Sequence, residues 1–258
     1  MTVEIKMLKH CFLVIIMKRG GKRMKKIFNK RNFIKFVFIT MILSSVFVTI
    51  RMIMAPTVVP FYNPDIRVKS DYFLMLLQCI LGTFAMLLPG FTEKRLKVSI
   101  PTNMIFVYSA FLYCAIYLGE VKNFYYRIPN WDMILHTFSG AMIGALGFTV
   151  ISFLNKTEKV PIYLTPVFVA FFSFCFAVTV GVVWEFYEYA ADGLLGTNMQ
   201  KFGTENGTLF VGHYALSDTM ADLLVDCIGA FAMSIIGYIS IKYDKNWHEK
   251  LMFRRKIN

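Results

Sequence analysis

Eight residues in the second half of the chain combine the types and spacing needed to hold a cation or move protons. Asp132 and His136 are four apart, so they share one helix face. Glu185, Glu188 and Asp192, at offsets of three and seven, fall within about 60° on one helical stripe. Asp218, Asp222 and Asp226 repeat every four residues and form another slowly drifting stripe. The set is rich in oxygen, holds one imidazole and lacks a thiolate. That donor chemistry suits Mg²⁺, Mn²⁺, Ca²⁺ or Fe²⁺, with Zn²⁺ reachable through His136. His136 is also the one candidate general acid or base of the group. No HExxH motif is present.

These residues must be positioned by membrane helices. The 258 residues are 57% apolar and 17% charged, with a mean hydropathy of +0.55. Soluble chains carry about 25% charged residues. The composition excludes a cytosolic enzyme domain, a disordered tail and a disulfide-stapled secreted module. The five cysteines are scattered, form no CxxC pair and read as small buried hydrophobes. A bilayer core about 30 Å thick needs about 20 apolar helical residues. Six windows qualify, at roughly 33–50, 72–90, 102–119, 133–154, 164–187 and 219–241. The expected fold class is all-α: a polytopic membrane protein with six transmembrane helices, N-in and C-in. It has a basic cytoplasmic tail over 1–32, the helical domain over 33–241 and a basic C-terminal tail over 242–258.

Orientation follows from lysine and arginine, which favour the cytoplasmic side. With the N-terminus inside, 22 of the 28 basic residues lie inside and six lie outside, namely Arg51, Arg67, Lys69, Lys122, Arg127 and Lys201. The formal charge of +12 is thus a topology signal, and no nucleic-acid partner is expected. The expected location is a bacterial cytoplasmic membrane. Eleven of the sixteen acids fall at the outer side, which the positive-inside rule does not explain. The alternation places the start of the fourth span, the end of the fifth and the start of the sixth at that same side. Asp226 then lies about 12 Å deeper than Asp218, and Glu185 about 10 Å deeper than Asp192, so the stripes can meet.

Glycines support convergence. Gly140 and Gly144 continue the Asp132/His136 stripe, Gly181 lies one turn from Glu185, and Gly229 lies one turn from Asp226. Small residues let membrane helices approach closely. Asp132, Asp192 and Asp218 also suit interfacial helix ends, Asp132 and Asp218 as caps. Glu185, Glu188, Asp222 and Asp226 do not, because close carboxylates need a cation, shared protons or basic partners. The connection 193–217 holds five glycines and is long enough for a lid over the cluster; it reads equally well as a solvated linker. Asn206-Gly207-Thr208 matches a glycosylation sequon. MKKIFNKRNF from Met24 reads as an alternative start, and the basic tail reads first as a topology determinant and second as a surface for anionic lipid head groups.

The runs WDMILHTFSGAMIGALGF, VWEFYEYAADGLLGTNMQ and LSDTMADLLVDCIGA resemble the YjdF-like family of bacterial inner-membrane proteins, over roughly residues 35–240. A looser resemblance is to VanZ-like proteins, whose polar pattern is also Asp/His, then Glu, then Asp near a Gly-Ala, and which are linked to glycopeptide tolerance. The resemblance implies the topology and the acid/histidine site and leaves the reaction open. The first function expected is a metal-dependent enzyme acting on a lipid or cell-envelope precursor. The alternatives are a cation- or proton-coupled transporter or ion-binding protein, and a non-catalytic membrane scaffold.

Overall fold

The computed structural model describes residues 29–57, 67–155, 164–204, 208–243 and 254–255. The start at Met24, most of the two basic tails, the centre of the first loop and the sequon asparagine lie outside the described residues. The protein is an all-α polytopic membrane protein. Its six long helices are α1 (Lys30–Met54), α2 (Lys69–Leu96), α3 (Thr102–Leu112, continued by a π-helical segment Tyr113–Val121), α4 (Trp131–Asn155), α5 (Pro166–Leu195) and α6 (Ser217–Lys242). Each reaches the length and apolarity needed to cross a membrane.

Local chemistry sets the helix ends. The Asn29 side chain accepts from the Arg31 amide, and the Thr165 hydroxyl from the Phe168 amide at 3.2 Å, just ahead of Pro166. α5 stops at Gly196, whose φ of 65° is the left-handed conformation that closes a helix. The exposed faces are apolar, as Leu43, Phe84, Phe171 and Leu224 illustrate, which fits lipid as the surrounding solvent.

The helices pack as two groups. α1, α2 and α3 surround two small cores, one built on Val48, Met75 and Cys79, the other on Val37, Met41 and Leu112. In the second group α4 and α6 form the most extensive helix pair of the molecule, and α5 packs on both. The groups meet where Phe111 stacks on Phe138 and where Phe124, in the single helical turn Phe124–Arg127, meets Trp131 edge to face. The third span departs from plain α-helix: Lys122 N–H donates to the Tyr117 carbonyl at 2.9 Å, five residues back. Wide turns of this kind recur at functional sites. Here the segment delivers Glu120 and the turn after it to the end of the bundle that carries Asp132.

At the opposite end, β1 (Val98–Ser99) pairs antiparallel with β2 (Arg254–Arg255), and the Lys30 ammonium contacts the Asn103 side chain. The beginning of α1 and the segment after α6 therefore share one end of the bundle, as an even number of spans requires. The four described cysteines are free thiols.

Candidate functional site

The site is built where α4 and α6 touch. A Cβ placed on Gly140 would overlap the Asp226 carbonyl oxygen and lie 3.0 Å from the Asp226 Cα. One on Gly229 would overlap the Thr137 carbonyl oxygen, and one on Gly181 would lie 2.8 Å from Asp226 Oδ2. Glycine at 140 and 229 lets the α4 and α6 backbones close up, and glycine at 181 leaves room for the Asp226 carboxylate, so that the polar stripes face each other.

His136 sits between three aspartates. Its Nδ1 is 3.2 Å from Asp226 Oδ2. Its Nε2 is 3.7 Å from Asp132 Oδ1 and 3.8 Å from Asp222 Oδ2. Asp226 Oδ1 accepts a bond from the Ser139 hydroxyl at 2.9 Å. The Asp226 carboxylate sits behind Nδ1, and the Nε2 edge of the ring faces Asp132 and Asp222. Carboxylates orient metal-binding histidines in this way. Asp132, His136 and Asp222 each offer one ligand atom, all within 4.8 Å of one another.

The connection after α5 folds over this group. Asp192 is the anchor: its carboxylate accepts from the Met199 amide at 2.7 Å, the Gln200 amide at 3.0 Å and the Thr197 hydroxyl. Further on, Phe210 N–H bonds to the Phe202 carbonyl at 2.9 Å. Lys201 takes a left-handed backbone, φ 44°, which is unusual for a residue with a side chain. That conformation aims its ammonium at Asp132 Oδ2 and, at 3.1 Å, at Asp218 Oδ1. Burial works against this ammonium, but Asp132 and then Asp218 outweigh it and hold it above the usual lysine range. Segment 197–201 thus lies over the cluster, with Lys201 on Asp132 and Asp218 and Gln200 beside Glu185.

The eight expected residues fall into distinct places. Asp132, His136, Asp222 and Asp226 come together, and Asp218 joins through Lys201. Glu185 is buried, with Oε2 3.4 Å from the Gln200 amide nitrogen and Oε1 without a hydrogen-bond partner among the described residues. Glu188 accepts from the Trp184 indole at 2.8 Å, and Asp192 serves the loop backbone. Residue types and spacing point to no role for Gln200, which also bonds the Thr219 hydroxyl at 3.0 Å, or for Ser139, Glu120 and Tyr125, and they mark Lys201 only as one of six outer basic residues. Ser139 shares its helix with His136 at i+3, a visible signal. Gln200 and Lys201 follow the GTNM run, but what they reach is a matter of loop geometry. Glu120 is a single acid at the end of an apolar span. Tyr125, in the turn after it, has its phenol held well above the usual range by burial and then by Glu120, Asp132, Glu188 and Asp222.

Fold and site together define a six-helix membrane protein with a buried aspartate–histidine cluster under a loop at one end. The chain belongs to the family described as "Predicted membrane protein (DUF2238)", which matches residues 33–243 and so spans all six helices and the cluster. It is also similar to a protein of Thermotoga maritima described as "Uncharacterized protein", 28% identical over 163 residues, covering 61% of this chain and 76% of the other. No solved structure matches.

Proposed function

We propose that Asp132, His136 and Asp222 bind a divalent cation, and that the protein is an enzyme of a bacterial cytoplasmic membrane acting on a lipid or cell-envelope precursor. The observation that carries this reading is the convergence of three ligand atoms within 4.8 Å from two helices, with Asp226 behind the imidazole. Lys201 engages Asp132 Oδ2, which leaves Oδ1 on the side of His136 Nε2. One ammonium serves Asp132 and Asp218; Asp222, Asp226 and the nearby Glu185 still face a single imidazole. A cation supplies the missing positive charge and the capacity to polarise a phosphoryl or acyl group or to activate water. Mn²⁺, Mg²⁺, Fe²⁺, Ca²⁺ and Zn²⁺ are the ions compatible with two carboxylates and one imidazole. The resemblance to YjdF-like proteins supports the same set of acids.

The basic split supports an outward-facing site with both termini in the cytoplasm. A transporter reading has less behind it. From Asp226, Glu185 and His136 toward the far end, the described residues of α4, α5 and α6 carry no Asp, Glu, Arg or His, and no Lys before Lys242. A relay across the membrane would need such groups.

The test is metal analysis of detergent-purified protein, with titration of Mn²⁺ and Zn²⁺ into chelator-stripped samples. One ion per chain is expected in the parent and loss of binding in Asp222→Asn and His136→Ala. A folded parent that binds neither ion would overturn the cation site and favour the scaffold. Binding without turnover of any membrane lipid would leave an ion-binding protein.

A further inference from the structure

A basic cavity lies at the same end of the bundle as the acid cluster and shares none of its residues. This cavity of about 680 Å³ opens between α1, α2 and the end of the third span, and it is lined by Arg51, Arg67, Tyr72, Lys122, Asn123 and Arg127. We infer that this cavity binds a phosphate-bearing anion. The inference does not depend on a cation at His136.

The distribution of charge is the first argument. Six basic residues belong to the basic-poor side of the chain. Four of them line this one cavity, and a fifth, Lys201, lies over the acid cluster. Residues kept only to anchor helices at an interface would be spread around the bundle. The second argument is the lack of a close ion pair, Glu120 reaching Arg67 only at longer range. Among the described residues, no carboxylate lies within ion-pair distance of any of the four. Arg51 bonds the Tyr72 hydroxyl at 3.0 Å and packs over its ring, and Lys122 lies over the Tyr117 ring. These contacts orient the cations without neutralising them. Four like charges around one space repel, and an anion with several acceptor oxygens relieves that repulsion.

The residue types narrow the ligand. Three of the four are arginines, whose planar fork matches phosphate oxygens in pairs. The volume falls within the range of about 300–1,000 Å³ typical of small-molecule sites, which leaves room for more than a bare phosphate. The left-handed Asn123, φ 63°, makes the tight turn that brings Lys122 and Arg127 to the same rim. Glu120, at the end of the π-helical segment, lies within electrostatic reach of Arg67 on one side and of Asp132 and Lys201 on the other. A phosphate held here would be next to the acid cluster.

The same chemistry is offered by a lipid head group and by free phosphate, and the experiment separates them. The full chain in neutral detergent, with chelator present throughout, is titrated with dihexanoyl phosphatidic acid and, separately, with inorganic phosphate. Saturable binding is expected, weakening as salt rises. Each of Arg67→Gln and Arg127→Gln should weaken it by about tenfold, the loss of one charge-assisted bond. Binding should be unchanged in His136→Ala, which separates this site from the cation site. Binding of the lipid alone assigns a head group; binding of both at similar strength assigns phosphate itself. No saturable binding of either, or binding undiminished in both arginine variants, overturns the inference. Lys122→Gln, at an exposed rim position, repeats the test should the arginine variants fail to fold.

Discussion

Gly229→Ala should damage the site without touching any of its polar groups. The new methyl would overlap the Thr137 carbonyl oxygen and lie 2.9 Å from the carbonyl carbon and 3.1 Å from the Ala141 nitrogen. All three are backbone atoms, so no side-chain rotation relieves the clash. Restoring ordinary contact of about 3.4 Å to that oxygen, 2.0 Å away, requires α4 and α6 to separate by about 1.4 Å. Asp226 is one turn away on the same helix, and its 3.2 Å contact with His136 would stretch past the hydrogen-bond limit of about 3.5 Å. Overpacking of this kind costs about 1–3 kcal/mol. Gly193→Ala is the control, because nothing lies within 4 Å of its methyl. That change should be neutral or stabilise α5 by up to about 1 kcal/mol. The assay is the midpoint of SDS-induced unfolding for both variants, followed by Mn²⁺ titration of the folded protein. Gly229→Ala should unfold at lower SDS and bind more weakly; behaviour equal to that of Gly193→Ala would refute the close packing of α4 on α6 as the basis of the site.

Three further outcomes are expected. Asp226→Asn keeps the shape and a hydrogen-bonding oxygen behind His136 but removes the charge, so Mn²⁺ or Zn²⁺ affinity should fall by about 10–100-fold while the helix stays inserted; unchanged affinity by calorimetry would mean that Asp226 does not orient the imidazole. The Lys201 bridge should be insensitive to pH across the neutral and mildly alkaline range. Its folded value is raised, so its contribution is complete below the ordinary lysine value of 10.5 and is lost only as the pH climbs past the raised one; protease cleavage of the 197–201 segment that rose between pH 7 and 9 in the parent as steeply as in Lys201→Met would contradict this. A reporter fused after Asn258 should be active only in the cytoplasm, and activity outside would reverse the orientation drawn from the basic residues.

Much of this protein is legible from residue order alone. Apolar runs of membrane length set the helical class, because buried backbone in lipid must satisfy its own hydrogen bonds. Periodicity put Asp132 with His136 and Asp222 with Asp226 on single faces, and alternation of the spans brought those faces to one end. The glycines at 140, 181 and 229 marked where helices approach. The division of labour among the acids was beyond reach of such reasoning. Asp192 and Asp222 look alike as helical aspartates, yet one caps loop amides and the other faces an imidazole, because a carboxylate's role depends on which donors the chain returns to it. Lys201 reaches Asp132 across 69 positions through one left-handed residue in a glycine-rich loop, and no period in the sequence encodes that turn. The gathering of Arg51, Arg67, Lys122 and Arg127 around one cavity likewise comes from the packing of α1, α2 and the π-helical segment. In the sequence these residues are scattered singly over 77 positions; only the crossing of three helices makes them neighbours.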